Sequence, residues 1–251
     1  MDKRGQVTIF IIFGFVILIL IILVLSLRDK GIGISPQKHL DSKIKFVEES
    51  VRECVESYSR EALTQIGNQG GSINPGKYVL YEGRKVQYLC SAIPGSLLCL
   101  NLMVPTKNVE EEITNYLNMK VPACIDINNL KKEYGFPEIK LNGSFKADTI
   151  INKTDVSIKV NYPITLVKGN TQVSLPKFTQ TIDIPLGKIL DTTFDIVDNE
   201  ARTGTFLNVQ YMLANRGEIE IYKDTPYPDR VYVLNGRDSD YKFYFAIEGA
   251  P

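Results

Sequence analysis

The chain has no tryptophan, a single histidine and no excess of charge of either sign. His39 is the only histidine, so the chain cannot form a zinc site with several histidine ligands, and any Ser-His-Asp triad would have to use His39. Basic and acidic residues number 29 each, so there is no basic field to attract nucleic acid. The sequence therefore predicts no nucleic-acid partner, and it lacks the commonest hydrolase and zinc-site patterns.

Other catalytic motifs are equally scarce. Phosphate-binding loops and G-x-S-x-G nucleophile motifs are absent. Ser174 and Lys177 have the S-x-x-K spacing of penicillin-binding proteins, but Pro176 lies between them in a strand pattern and the companion motifs are missing. Asp238 and Asp240 could form an acid–base pair, although a turn before a strand explains them as well. We therefore predict a protein that is not an enzyme and has no metal or cofactor.

The longest feature that is present is the apolar run Val7–Leu27, which contains no charged residue. As a helix it would extend about 30 Å, the thickness of the hydrocarbon core of a bilayer. A cleaved secretory signal is the alternative, but the run is too long for one and no A-x-A pattern follows it. The run predicts a transmembrane helix over 7–27, with a cytoplasmic N-terminus over 1–6, a linker over 28–39 and the lipid bilayer as a partner.

The four cysteines, Cys54, Cys90, Cys99 and Cys124, all follow this run, and none forms a C-x-x-C pair. Disulfides persist outside the reducing cytosol, so we expect residues 40–251 to be extracytoplasmic on a single-pass membrane protein. Cys90 and Cys99 lie symmetrically about Pro94-Gly95, which favours a bridge across a hairpin and leaves Cys54 for Cys124. Four cysteines permit three pairings, and four reduced, buried thiols are the alternative.

Residues 40–251 alternate between helical and strand periodicity, with a possible boundary near 130–143. Apolar residues spaced by three or four predict helices over about Leu40–Ile66, Val109–Met119 and Leu186–Arg202. Alternating patterns predict strands at Tyr78–Tyr81, Lys85–Leu89, several between Ser144 and Ile184, Glu218–Tyr222, Arg230–Leu234 and Tyr241–Ile247. The predicted fold is α+β: a transmembrane helix, then about three helices packed on a mostly antiparallel sheet.

Local patterns within these helices lead to further expectations. Asn108 and Glu111 have the spacing of a capping box, and the acidic run 110–112 suits the positive end of a helix dipole. Six residues of the third helix share one apolar face, namely Leu186, Ile189, Leu190, Phe194, Val197 and Ala201. Asn142 and Asn152 begin N-x-S/T triplets and would be N-glycosylation acceptors in an outward-facing domain.

The amino-terminal residues Lys3-Arg4-Gly5-Gln6-Val7-Thr8-Ile9-Phe10 resemble the class III signal of archaeal type IV pilins and related surface proteins. The resemblance implies a peptidase cut between Gly5 and Gln6 that keeps the hydrophobic helix. Pilins of this kind usually have Glu at the fifth mature position, where this chain has Phe10. That Glu is associated with subunit docking in filaments.

The wider chain is similar to membrane-anchored surface proteins of small-genome archaea for which no activity is known. The similar parts are the KRGQVTIFII start, the Cys54 helix with its GNQGG end, EEEITNYLN before Cys124, and Val160-Asn161-Tyr162-Pro163. This resemblance implies a location and nothing catalytic.

Together these patterns predict a single-pass, membrane-anchored structural or interaction protein of the cell surface. A pilin-like filament subunit is the first alternative, and a surface hydrolase with an unrecognised site is the second. Other surface or filament proteins are the expected protein partners.

Overall fold

The computed structural model describes residues 4–29, 36–96, 98–126, 132 and 138–249. These residues form an α+β structure with five helices and 12 strands in three sheets, divided into two compact units, Met1–His39 and Leu40–Pro251. The helices are α1 Arg4–Asp29, α2 Pro36–Asn68, α3 Thr106–Cys124, α4 Leu186–Thr203 and α5 Asn208–Ala214. The strands are β1 Tyr78–Tyr81, β2 Arg84–Ala92, β3 Cys99–Asn101, β4 Glu138–Leu141, β5 Lys146–Ile151, β6 Val156–Asn161, β7 Ile164–Lys168, β8 Thr171–Ser174, β9 Phe178–Ile182, β10 Ile219–Asp224, β11 Arg230–Gly236 and β12 Lys242–Ile247.

The N-terminal unit contains α1, whose large apolar side chains between Phe13 and Val24 are about half exposed. Among the described residues, no helix combines the length and the apolarity that are needed to cross a membrane. This finding overturns the predicted transmembrane helix over Val7–Leu27 and the single-pass localisation inferred from it. Of the predicted linker 28–39, residues 30–35 lie outside the described part.

In the larger unit, α2 forms because one stripe of its surface is apolar and the other is charged. Its buried hydrophobic residues are Leu40, Ile44, Val47, Val51, Val55, Ala62, Leu63 and Ile66. On the charged side, Glu48 pairs with Arg52 and Glu56 with Arg60, one helical turn apart. The helix ends where Gly70 and Gly71 adopt positive φ and the Gly71 N–H bonds to the Ile66 carbonyl.

The last turn of α2 packs directly on the end of β12. A Cβ atom added to Gly67 would lie 2.5 Å from the carbonyl oxygen of Lys242, so no larger residue fits there without movement. The Tyr241 hydroxyl donates a hydrogen bond of 2.8 Å to the Leu63 carbonyl at the same place. The GNQGG segment therefore ends the helix and also allows it to touch the sheet.

The largest sheet has the strand order β1-β2-β12-β11-β10, with β3 also paired to β2. All its pairs are antiparallel except β2 with β12. Side chains on one face join the helices in the main core, and they include Leu89, Tyr232, Leu234, Phe243 and Phe245. The opposite face carries a second, smaller cluster of Val86, Val231, Tyr244 and Ala246.

The two three-stranded sheets, β4-β7-β8 and β5-β6-β9, are two halves of one bent antiparallel meander. Each long strand is interrupted by two to four residues, between β4 and β5, β6 and β7, and β8 and β9. The interruptions contain Gly143, Pro163 and Pro176. Proline has no N–H to donate to a ladder, so it is tolerated where a strand bends.

Helix α3 covers the free edge of β5. Side chains one helical turn apart on α3 accept hydrogen bonds from alternate backbone N–H groups of β5, at 2.8 to 3.1 Å. The pairs are Asn118 with Ala147, Thr114 with Thr149 and Glu110 with Ile151. Four residues of helix advance about 6 Å and two residues of strand about 6.6 Å. The spacing of the three acceptors on α3 therefore matches the spacing of the three N–H groups on β5.

Two expectations about α3 are wrong. The helix begins at Thr106 after Pro105, without a side-chain cap, so Asn108 lies inside the helix and forms no capping box. The acidic run 110–112 lies beyond the first helical turn, and a helix dipole acts mainly on charges within that turn. Glu112 accepts hydrogen bonds from the Ser72 hydroxyl and the Ile73 N–H, and Glu110 accepts from Ile151. These carboxylates bind other segments of the chain.

Helix α4 spans nearly the predicted residues and ends at Gly204 with a φ of 75°. Its buried face differs from the predicted one, because Phe194 is 53% exposed and Glu200 is fully buried. Pro185 directly precedes α4. Helix α5 was not predicted from the sequence, and none of its residues is buried.

Candidate ligand-binding site

The candidate site lies on the face of the six-stranded sheet opposite the main core. Side chains alternate between the two faces of a strand, so Tyr244 points away from its neighbours Phe243 and Phe245. Tyr222, Val233 and Tyr244 are in register across β10, β11 and β12 and form one row on this face. We call this face of the sheet the concave face, because the sheet curls around it.

The sheet curls strongly enough to bring its two edge strands together. Tyr81 of β1 donates a hydrogen bond of 2.9 Å to Asp224 of β10, at the opposite edge. In a flat sheet, four strand spacings would separate these edges by about 19 Å. The twist of adjacent strands therefore accumulates until one corner folds over the face. Burial and the bond to Asp224 raise the pKa of Tyr81 to about 12, so its hydroxyl remains a donor at neutral pH.

The fold-over creates a small core without a covering helix layer. Val86, Val231 and Ala246 are completely inaccessible, and Val79 and Tyr81 pack against them. As a result, five of the six residues of β12 are buried. Beyond Tyr81, the concave face opens into a cavity of about 310 Å³.

We call this opening the mouth. Its lining is part aromatic and part polar, and consists of Tyr81, Glu82, Glu220, Tyr222, Val233, Asn235, Lys242 and Tyr244. Recognition sites commonly combine apolar walls with a few polar groups that orient the ligand. The mouth fits that description, and Tyr222 is its most accessible ring at 61% exposure.

Charges at the mouth balance. Arg84 bonds to Glu82 at 2.8 Å, and its guanidinium lies 4.8 Å from the centre of the Tyr244 ring. Lys242, Asn235 and Glu220 occupy one row in register, so a cation and an anion flank a neutral amide. Two acidic and two basic side chains therefore surround the opening.

Asn235 supplies a polar atom without a partner. Its Oδ1 is buried and has no hydrogen bond within the described residues. Buried polar atoms of this kind are rare in native proteins, because each costs roughly 1–3 kcal/mol. The atom is closed to solvent in the free protein, so a ligand group would donate to it, and remove that cost, once the Asn235 side chain turns toward the opening.

The other end of the concave face is closed by its own hydrogen bonds. Tyr88 donates to Asp229 at 2.7 Å, and burial together with this bond raises the pKa of Tyr88. Glu248 accepts from Lys77, Ser91 and the Ala92 N–H. Burial opposes ionisation of Glu248, but these bonds outweigh it and lower the pKa of its carboxyl.

A larger groove, of about 650 Å³, crosses the outer face of β5, β6 and β9. Lys146, Lys159 and Lys177 line it together with Asp148, and all four residues are exposed. Solvated lysines need no ligand, and no buried orphan atom lines this groove among the described residues. The mouth is therefore the better candidate despite its smaller volume.

A buried charge cluster lies on the helix side of the same sheet. Glu200 of α4 is inaccessible and accepts a hydrogen bond from the Tyr232 hydroxyl, while Lys223 and Arg230 approach its carboxylate at 3.4 and 3.2 Å. Burial and Glu200 raise the pKa of Tyr232. Arg230 also donates to the Gly204 carbonyl. Because Glu200 is sealed from solvent, we assign this cluster to stability.

The predicted disulfide bonds are confirmed, since the structure contains Cys54–Cys124 and Cys90–Cys99. The symmetric placement of the two cysteines about Pro94-Gly95 predicts that they lie directly opposite each other, and this is wrong. Cys99 lies opposite Ala92, so the bridge to Cys90 runs diagonally between β2 and β3, with the Cα atoms 5.5 Å apart. The connection of residues 93–98 is longer than a tight two-residue turn, which shifts the register.

The other predicted sites are distributed over the chain. Gly5 and Gln6 lie within α1, and a cut between them stays a prediction. Asn142 and Asn152 are exposed, and their side-chain nitrogens donate to Thr165 and Asp155. Glycosylation at either asparagine also stays a prediction. Ser174 lies on β8 and not on the helix that an S-x-x-K motif requires.

Sequence reasoning missed the mouth. Its only local signal is the alternation of Tyr222 and Tyr244 with core residues, which any half-buried strand shows. No protein-family model matches the chain, and neither a curated protein nor a solved structure is similar to it. What the protein binds therefore has to follow from the chemistry of its own side chains.

Proposed function

We propose that the unit Leu40–Pro251 is a disulfide-stabilised, non-catalytic interaction protein that recognises its partner at the mouth. The observation that carries the proposal is the unpartnered Asn235 Oδ1 in an opening lined by three tyrosines. Tyrosine is enriched at recognition surfaces because its ring is apolar and its hydroxyl is polar.

The two disulfides support this function by keeping the unit folded in an oxidising environment. Each bridge typically contributes about 2–4 kcal/mol. Cys90–Cys99 joins β2 to β3, and Cys54–Cys124 joins α2 to α3. The bridges hold the helices and the six-stranded sheet in place, so the mouth is presented on a rigid support.

Binding suits the carboxylates of the mouth better than hydrolysis does. Glu82 is already bonded to Arg84, and Glu220 lies two strands from Lys242 in the same row. General acid–base work requires a carboxylate that exchanges protons with a substrate. A carboxylate that is already bonded to arginine serves as a hydrogen-bond acceptor.

The proposal is tested by titrating the full-length protein with phenol, isopropanol and N-methylacetamide and following its amide NMR shifts. Recognition sites bind chemically unlike small molecules at one place, so we expect the largest shifts at Tyr222, Asn235 and Tyr244. Tyr222→Ala should weaken these shifts and Tyr227→Ala should not, since Tyr227 is 87% exposed in the β10–β11 loop at the other end of the strands. Shifts scattered over the surface, with none at the mouth, would contradict the proposal.

A pilin-like filament subunit is the second candidate, and the exposed apolar surface of α1 favours it. Large apolar side chains between Phe13 and Val24 are 49–65% exposed, and contiguous apolar surface of this kind marks an interaction site. Packing of α1 against α1 of other copies would cover it. Electron microscopy of purified appendages should then show filaments containing this chain, and Leu20→Asp should abolish them. Appendages that lack the chain would exclude this candidate.

A further inference from the structure

We propose that the ligand of the mouth is a neutral carbohydrate, such as a short stretch of an oligosaccharide. This inference rests on the proposed function, because it names the ligand class for the same opening. It follows from three properties of the mouth: balanced charge, the accessible ring face of Tyr222 and unfilled hydrogen-bonding capacity.

Charge balance selects a neutral ligand. Glu82 and Arg84 neutralise each other at 2.8 Å, and Glu220 and Lys242 flank Asn235 from opposite sides. A strongly anionic or cationic ligand would meet like charge on one side of the mouth, and such juxtapositions cost affinity. An uncharged ligand meets no such penalty.

The accessible ring of Tyr222 selects a ligand with an apolar patch. Tyr222 and Tyr244 lie on the same face with β11 between them, about 10 Å apart at two strand spacings. Arg84 approaches the Tyr244 ring, whereas Tyr222 is 61% exposed. The C–H face of a sugar ring is apolar and carries partial positive charge, which suits the negative face of an aromatic ring.

Hydrogen-bonding capacity selects a ligand rich in hydroxyl groups. A hydroxyl both donates and accepts, and the mouth presents both kinds of group. Glu220 and Asn235 Oδ1 accept, while Lys242 and the Asn235 amide nitrogen donate. Adjacent sugar hydroxyls can satisfy the orphan Asn235 Oδ1 and the neighbouring charges together.

Size is consistent with a short saccharide. The opening of about 310 Å³ is at the lower end of ligand cavities, which run from roughly 300 to 1,000 Å³. A quaternary ammonium ion is the competing occupant, because tyrosines also form cages for such cations. The mouth has as many acidic as basic side chains around it, so a cation gains no net attraction there, which is why we favour the sugar.

The absence of tryptophan provides a direct test. Tyr222→Trp makes the only tryptophan of the chain, so its emission reports on the mouth alone. We expect a saturable shift with at least one of maltose, cellobiose, mannobiose and chitobiose at about 20 mM, well above a ~1 mM dissociation constant. Tyr227→Trp is the matched control and should show no shift.

NMR of the unsubstituted protein removes the dependence on that substitution. The same disaccharide should move the Asn235 side-chain amide signals. Asn235→Leu and Tyr222→Ala should each weaken binding by about tenfold, the size of one lost aromatic or hydrogen-bonding anchor. Tyr227→Ala should leave the affinity unchanged.

The outcomes separate the two proposals. If phenol and isopropanol bind at the mouth but no disaccharide does, recognition stands and the carbohydrate is excluded. Saturable binding of tetramethylammonium chloride, without binding of any saccharide, would also overturn the carbohydrate proposal in favour of a cation. If none of these probes binds at the mouth, both the carbohydrate and the proposed function are wrong.

Discussion

At the scale of single residues, Glu200 shows how much one buried carboxylate can influence the core. Lys223, Arg230 and Tyr232 reach it from β10 and β11. Two cations face one anion, and both cations are about four-fifths buried. The carboxylate therefore compensates the positive charges of Lys223 and Arg230, which would otherwise be largely buried without a counter-charge.

Glu200→Gln should destabilise the protein by about 2–3 kcal/mol, because it leaves two partly buried cations without a counter-charge. Urea unfolding measures the effect. Asp198→Asn, two residues earlier on α4, removes only an exposed pair with Arg202 and should cost under about 0.5 kcal/mol. Equal stabilities for Glu200→Gln and the unsubstituted protein would refute the argument.

Glu248 should make stability depend on pH in the acid range. Its pKa is lowered in the folded state from an ordinary value of 4.5. The stabilisation is fully present above that value and is lost as the pH falls through the folded pKa. Glu248→Gln should therefore lose less stability than the unsubstituted protein between about pH 6 and about pH 3. Parallel unfolding curves for the two proteins across this range would show that Glu248 does not contribute.

At the scale of elements, the contact between α3 and β5 solves the problem of an open sheet edge. Unpaired edge N–H groups invite aggregation, and proteins often cover them with a helix. Here Glu110, Thr114 and Asn118 supply the acceptors that a further strand would otherwise provide.

Thr114→Val should cost about 1–2 kcal/mol, because the Thr149 N–H loses its acceptor in a buried position. Thr64→Val is the matched control, since the Thr64 hydroxyl bonds only to the Arg60 carbonyl of its own helix at an exposed position. Hydrogen exchange at Thr149 should accelerate in Thr114→Val alone. Unchanged exchange there would mean that the edge is protected in another way.

At the scale of the whole molecule, the two disulfides differ in solvent accessibility and in the size of the loop that each bridge closes. Cys90 and Cys99 are buried and nine positions apart. Cys54 is partly exposed and Cys124 exposed, and 70 positions separate them. Exposed bridges are reduced before buried ones, whereas long loops contribute more stability.

Mild dithiothreitol should therefore open Cys54–Cys124 first, as alkylation and peptide mass analysis would show. Its loss should destabilise the fold by up to about 4 kcal/mol, because it closes the longer loop. The double variant Cys54→Ser, Cys124→Ser should reproduce this loss, and Cys90→Ser, Cys99→Ser is the comparison. Prior alkylation of Cys90 and Cys99 would contradict the ranking.

Local periodicity in the sequence was sufficient for most elements of the larger unit. It placed β1 at its observed bounds and α4 within one residue of them, because apolar spacing depends on near neighbours. The periodicity predicted the bounds of α3 poorly, since α3 starts three residues earlier and ends five residues later than predicted. The transmembrane assignment of the first apolar run also failed, since no described helix meets that requirement.

The sequence by itself determined the helical and strand segments and the presence of four cysteines able to pair. Only the tertiary structure decided that Glu200 is buried while Phe194 is exposed, and that Tyr81 reaches Asp224 across 143 positions. The physical reason is that a residue's own helix or strand sets its periodicity, whereas its partner depends on how sheets twist and which edges meet. The mouth is formed by such distant contacts, so no local pattern could reveal it.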